Sequence, residues 1–199
     1  MSNTVDNDKR RFLTTAASVV VGGAGAAVAA VPFVSSMLPS AKAQAAGAPV
    51  NVDISKLELG QLMTIEWRGK PVWIYRRTAE TVTNLSSQND SLKDPESTVS
   101  KQQPDYCVNE SRSIKEELMV LVGVCTHLGC SPTYRPELAP VDLGPEWKGG
   151  FFCPCHGSRF DLAGRVFQGV PAPINLQVPP YYFLGDNRIV IGEDTQGVA

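Results

Sequence analysis

The sequence predicts an all-β body, built as an antiparallel β-sandwich, carried on a single N-terminal membrane helix. Three features lead to that reading. Residues 12–41 include no charged side chain, and about 20 apolar residues suffice to span a bilayer. From Val50 onward, short runs rich in β-branched and aromatic residues alternate with Gly, Pro, Asn and Asp, the spacing of strands and turns. Two such runs end in the hexapeptides Cys125-Thr126-His127-Leu128-Gly129-Cys130 and Cys153-Pro154-Cys155-His156-Gly157-Ser158, which hold both histidines of the chain and four of its five cysteines. A length of 199 residues accommodates one medium domain with an appendage.

Residues 1–11 form a polar segment ending in Lys9-Arg10-Arg11, and residues 12–39 form the apolar span. Lys9-Arg10-Arg11-Phe12-Leu13 is similar to a twin-arginine export signal, the route of proteins that fold and take up a cofactor before export. The basic residues keep the N-terminus cytoplasmic by the positive-inside rule, which places the body in the periplasm, outside the cell inner membrane. The span is rich in Ala and Gly and is expected to break at Pro32. Ala41-Lys42-Ala43 and Ala43-Gln44-Ala45 have the form of signal cleavage sites. The apolar run, however, exceeds the roughly 7 to 15 residues of a cleaved core, so a retained single-pass anchor is expected. Residues 40–50 are small and have nothing to bury, which makes them a flexible neck with some helical propensity.

Residues 51–199 form the body. Residues 62–67 and 71–76 flank Arg68-Gly69-Lys70 as a hairpin, and residues 117–124 form a buried strand leading to Cys125. Gly150-Phe151-Phe152 leads to Cys153, and residues 181–184 and 188–191 close the domain as a second hairpin. Residues 81–113 are polar and read as a solvated helix-and-loop connector between strands. Arg76-Arg77 reads as a solvated strand end. A net charge of -2 with scattered cations gives no sign of a nucleic-acid partner. Cys107 has no evident partner and reads as a buried or unreactive thiol.

The ligand types within each hexapeptide separate two kinds of metal site. A finger-type zinc site usually takes two cysteines from one half and two histidines from the other, whereas each loop here mixes the two. That disfavours a tethered structural zinc module. If each loop gives its Cys to one iron and its His to the other, Cys125 and Cys153 hold the inner iron and His127 and His156 the outer iron of a 2Fe-2S cluster, the ligation of a Rieske centre.

CTHLGC and CPCHGS resemble the two cluster loops of the Rieske proteins, specifically the quinol-oxidising branch, in which two further cysteines lie where Cys130 and Cys155 do. The resemblance extends over the twin-arginine start, the apolar segment, the neck, the β-rich body and Gly169-Val170-Pro171-Ala172-Pro173. It implies a Rieske-type sandwich with a small cluster-binding subdomain, one 2Fe-2S cluster per chain and a Cys130–Cys155 disulfide, which requires an oxidising compartment. It further implies that His156 accepts a hydrogen bond and a proton from ubiquinol, that Ser158 donates a hydrogen bond to the cluster, and that residues 169–173 cover it as a proline loop. Leu128 either docks against cytochrome b or is buried under its own fold. The partners implied are cytochrome b and c-type cytochrome subunits within a dimeric respiratory complex that reduces cytochrome c with quinol. Phe160 stands where high-potential members carry a tyrosine, and residues 134–148 are longer than in mitochondrial relatives. The Rieske subunit of a periplasmic arsenite oxidase shares the signal and the cysteine pair, but the long anchor and full-length β-body argue against it.

Two neutral imidazoles in place of two thiolates leave such a centre less negative, so an electron enters more readily. Rieske potentials span about -150 to +300 mV, against about -400 mV for the plant-type ferredoxins. Added negative charge beside an imidazole favours its protonation, which couples electron to proton uptake.

Overall fold

A computed structural model describes residues 6–194 and divides the chain into two compact units, with the division after Ala45. The first holds helix α1 (Asn7–Ser36), whose N-terminus is capped by the Asp6 carboxylate accepting from the backbone N–H groups of Asp8 and Lys9. Its 30 residues extend for about 45 Å at about 1.5 Å per residue, more than the hydrocarbon thickness of a bilayer. None of its side chains is buried, and by length and composition it is apolar enough to cross a membrane. Pro32 does not break it. The missing N–H removes one backbone bond near the C-terminal end, and the last turn persists, with the Ser35 and Ser36 hydroxyls donating to the carbonyls of Pro32 and Phe33. The neck contains a short helix, α2 (Ala41–Gly47).

The body consists of three antiparallel three-stranded sheets. β1 (Val50–Asp53) pairs with β9 (Arg188–Ile191), which also pairs with β8 (Tyr181–Phe183), so the two ends of the body lie in one sheet. β2 (Leu62–Trp67), β3 (Lys70–Arg76) and β4 (Leu118–Val122) form the second. The hairpin between β2 and β3 turns on Arg68 and Gly69, both at positive φ, as a two-residue connection matching the twist of the strands requires. β5 (Thr133–Leu138), β6 (Lys148–Cys153) and β7 (Ser158–Phe160) form the third sheet, which carries the second cysteine-histidine loop. All five residues of β4 are buried, and the Trp73 ring stacks on Phe151 at 4.6 Å between centroids, joining the second sheet to the third.

Two expectations fail in the body. Residues 81–113 are not a solvated connector: after α3 (Ala79–Ser86) they fold through three short 3-10 turns and bury Ser97, Gln102, Gln103, Cys107 and Arg112. These polar groups are tolerated inside because they bond to one another and to main chain, as when Gln103 donates to the Ser97 carbonyl and accepts from Arg112. Cys107 lies in this region, fully buried, and burial pushes its thiol up to about 11. Arg77 is not a solvated strand end either. It is 1% exposed and donates to the carbonyls of Leu162, Glu116 and Ser111 and to the Ser113 hydroxyl. A guanidinium has five donors in a fixed fork, and here the fold supplies acceptors that the Arg-Arg doublet does not announce.

Candidate metal centre

Both cysteine-histidine loops are closed by the same backbone device. The Gly129 N–H donates to the Cys125 carbonyl at 3.0 Å, and the Gly157 N–H donates to the Cys153 carbonyl at 2.9 Å. Each glycine has positive φ, +85° and +76°, a conformation that side-chain-bearing residues adopt at a cost. The first loop starts at Cys125, three residues past the end of β4, and is pinned at its base by the Cys125 N–H donating to the Cys130 carbonyl at 2.7 Å. The second runs from the last residue of β6 to the first of β7, where Cys153 and Ser158 are paired.

The loops are joined by a Cys130–Cys155 disulfide, as the resemblance implied. The sulfurs of Cys130, Cys153 and Cys155 lie within 4.8 Å of one another, but two of them are consumed in that bond, so this trio is not a ligand set. The remaining donors at this end of the body are two thiols and two imidazoles. Cys125 and Cys153 are free and buried. His127 is half-buried, His156 is exposed, and their rings meet edge to face with centroids 4.8 Å apart. The set grades from sulfur inside to nitrogen outside, which fits a mixed-ligand 2Fe-2S cluster better than a single tetrahedral zinc. Burial pushes the Cys125 thiol up, and the adjacent Cys153 adds to this, while the His127 backbone N–H and the Ser158 hydroxyl oppose it as hydrogen-bond donors. An isolated buried thiolate there is unfavourable, and a bound cation would offset that cost.

The surrounding segments close on this centre. Thr126 of the first loop donates to the Ile174 carbonyl at 2.6 Å, just beyond residues 169–173, and the Ala172 N–H inside that stretch donates to the Ser158 hydroxyl at 3.0 Å. Ser158 is fully buried, as is Phe160 two residues on, on the same face of β7. Leu128 is 72% exposed at the tip of the first loop, which removes the alternative of burial under its own fold. Residues 134–148 are folded as most of β5 and the turn into β6, with Arg135 paired to Asp142 at 2.8 and 3.0 Å.

Sequence reasoning missed what holds the turn after the second loop. Residues 161–165 are gripped by three guanidinium groups, all essentially unexposed. Arg77 donates to the Leu162 carbonyl, Arg112 to the Ala163 carbonyl, and Arg165 to the Asp161 carboxylate at 2.8 Å. Burial lowers the pKa of both Arg77 and Arg112 to about 10, with Asp161 opposing the shift, so both remain cations at neutral pH. Only Arg165 and Asp161, four residues apart and opposite in charge, offered any signal in the sequence.

Comparison with known proteins agrees with this architecture. Residues 49–180 match the model of the Rieske 2Fe-2S domain, and residues 1–40 match one described as "Ubiquitinol-cytochrome C reductase Fe-S subunit TAT signal". The chain is 62% identical over 188 residues to the ubiquinol-cytochrome c reductase iron-sulfur subunit of Allochromatium vinosum, covering 94% of this chain and 90% of that one. It is 42% identical over 195 residues to the subunit of the same name from Bradyrhizobium diazoefficiens, covering 96% and 98%. A β-body with two cysteine-histidine loops, a disulfide between them and a match over most of its length together establish that the chain belongs to the Rieske 2Fe-2S family.

Proposed function

We propose that this chain is the iron-sulfur subunit of a ubiquinol-cytochrome c reductase, with one 2Fe-2S cluster held by Cys125 and Cys153 on the inner side and His127 and His156 on the outer. The observation that carries the reading is the graded donor set: two free buried thiols behind two imidazoles, on loops tied by a disulfide that is not itself a ligand. When bound, the cluster supplies one-electron chemistry. The chain's residues do the rest. His156, exposed with its ring edge to face with that of His127, is placed to accept a hydrogen bond from a quinol hydroxyl and to hold its proton. Leu128 presents apolar surface to the subunit that holds the quinol, cytochrome b. Ser158 and the proline loop shield the sulfur side from water.

The apolar α1 and the twin-arginine segment support a membrane-anchored subunit. The finer topology follows the basic residues 9–11: N-terminus cytoplasmic, body periplasmic, in the inner membrane. Residues 1–11, 12–39, 40–50 and 51–199 then divide the work into export, anchoring, motion and chemistry. The arsenite-oxidase alternative is not favoured, since the relatives at 62% and 42% identity are named as ubiquinol-cytochrome c reductase subunits.

Redox-monitored EPR of membranes containing the full chain, with and without a quinol-site inhibitor, tests the assignment. The reduced signal is expected to change shape when the inhibitor binds, and turnover from quinol to cytochrome c to stop. An inhibitor-blind signal, in a complex that purifies with a molybdenum subunit instead of cytochrome b, would refute it.

A further inference from the structure

Residues 169–173 lie against the centre but are poorly equipped to hold themselves there. Pro171 and Pro173 have no N–H, and Val170 and Ala172 lie outside every strand. The carbonyls of these last two converge on one cation: the Lys93 ammonium donates to Val170 O at 2.7 Å and to Ala172 O at 2.7 Å. An ammonium, with three donors and no acceptor, suits two converging carbonyls. The lysine is delivered to that point by its own main chain. Its N–H donates to the Val166 carbonyl at 2.9 Å, Leu92 bridges Phe167, and Gln168 donates to the Leu92 carbonyl at 2.9 Å.

Ala172 is fully buried and is gripped from both sides. Lys93 holds its carbonyl, and its N–H donates to the hydroxyl of Ser158, the residue paired with Cys153 across β6 and β7. We infer that Lys93 is a positioning residue: it clamps the proline loop shut over the centre and, through Ala172, holds the buried Ser158 hydroxyl in place beside it. The segment around Lys93 is thus a belt fastened to the lid of the site, although its polar composition reads as a surface connector. The role of Ser158 toward a cluster rests on the ligand assignment above; the clamp on the loop does not.

The test uses the detergent-solubilised full chain and two variants, Lys93→Met, which keeps the length without the donors, and Lys93→Arg, which restores them. Residues 169–173 carry only three exchangeable amides, at Gly169, Val170 and Ala172, so hydrogen exchange there is readily assigned. With Met, exchange at Ala172 should rise by about tenfold or more while the strands keep their protection, and Arg should recover most of it. The midpoint potential should fall with Met and return with Arg, since a merely stabilising lysine would move neither selectively. Wild-type exchange at Ala172 in the Met variant overturns the clamp, and so does a loss of protection spread evenly over β1 to β9. Absence of iron and sulfide from the wild-type protein would instead refute the ligand assignment, leaving the exchange result to decide the clamp.

Discussion

Replacing Ser158 by Ala removes one hydroxyl from the interior of the site and should lower the midpoint potential of the centre. The hydroxyl is fully buried, accepts the Ala172 N–H at 3.0 Å and belongs to the residue paired with Cys153 at the base of the second loop. A donor stabilises the more negative, reduced state more than the oxidised one, so its loss favours oxidation. A hydrogen bond to a charged acceptor is worth about 1.5 to 3 kcal/mol, and the share that differs between two states one electron apart is about 1 to 2 kcal/mol. At 59 mV per tenfold for one electron, that is a fall of about 40 to 85 mV. Burial leaves no water to replace the donor, which argues for the upper half of that range. The measurement is a potentiometric titration followed by EPR, with iron and sulfide content matched to wild type so that cluster loss is not read as a shift. An unchanged or higher potential would mean that the hydroxyl does not point at the centre, and the reasoning from the buried Ser158 beside Cys153 would fail.

Phe160→Tyr places a phenol on the same buried face of β7 as Ser158, and should raise the potential by a similar amount, read by the same titration. Cys130→Ser opens a loop with a sequence separation of 25, which the chain-entropy model values at about 3.5 kcal/mol. A cluster that assembles but bleaches at lower temperature is expected, whereas total iron loss from a folded variant would move Cys130 into the ligand set. Changing Arg10 and Arg11 together to Lys keeps the charge and removes the twin-arginine pair, so cluster-bearing protein should accumulate on the cytoplasmic side by fractionation. Prolines at Ala45 and Ala46 should disrupt α2 and cut quinol to cytochrome c turnover steeply without altering spectrum or potential. Wild-type turnover in that variant would make the neck a passive spacer.

The sequence exposes those parts of the fold that local chemistry dictates. The β2–β3 hairpin is legible because Arg68-Gly69 must turn between two alternating runs, and β4 because five apolar residues in a row have no other place to go. Both site loops are legible because cysteine and histidine recur at short spacing, but the disulfide pairing came from family resemblance, since spacing alone allows several connectivities. Arg77, Arg112 and Lys93 were illegible for one shared reason. The main-chain carbonyls they hold lie 34 to 85 residues away for Lys93 and Arg77, and 51 to 64 for Arg112, and a carbonyl has no side-chain identity to read. The same holds for residues 81–113, whose polar composition is ordinary surface until tertiary structure gives groups such as Gln103 and Arg112 partners inside the body. Pro32 misled because a proline near a helix end costs only one bond.

The central claim, a 2Fe-2S cluster on Cys125, Cys153, His127 and His156, is tested most directly by metal and sulfide analysis joined to pulsed EPR of the reduced protein. Two irons and two acid-labile sulfides per chain, with hyperfine couplings from two imidazole nitrogens that vanish along with the cluster in His156→Ala, are expected. One zinc per chain with no sulfide, or a cluster that survives His156→Ala with its nitrogen couplings unchanged, would contradict the account.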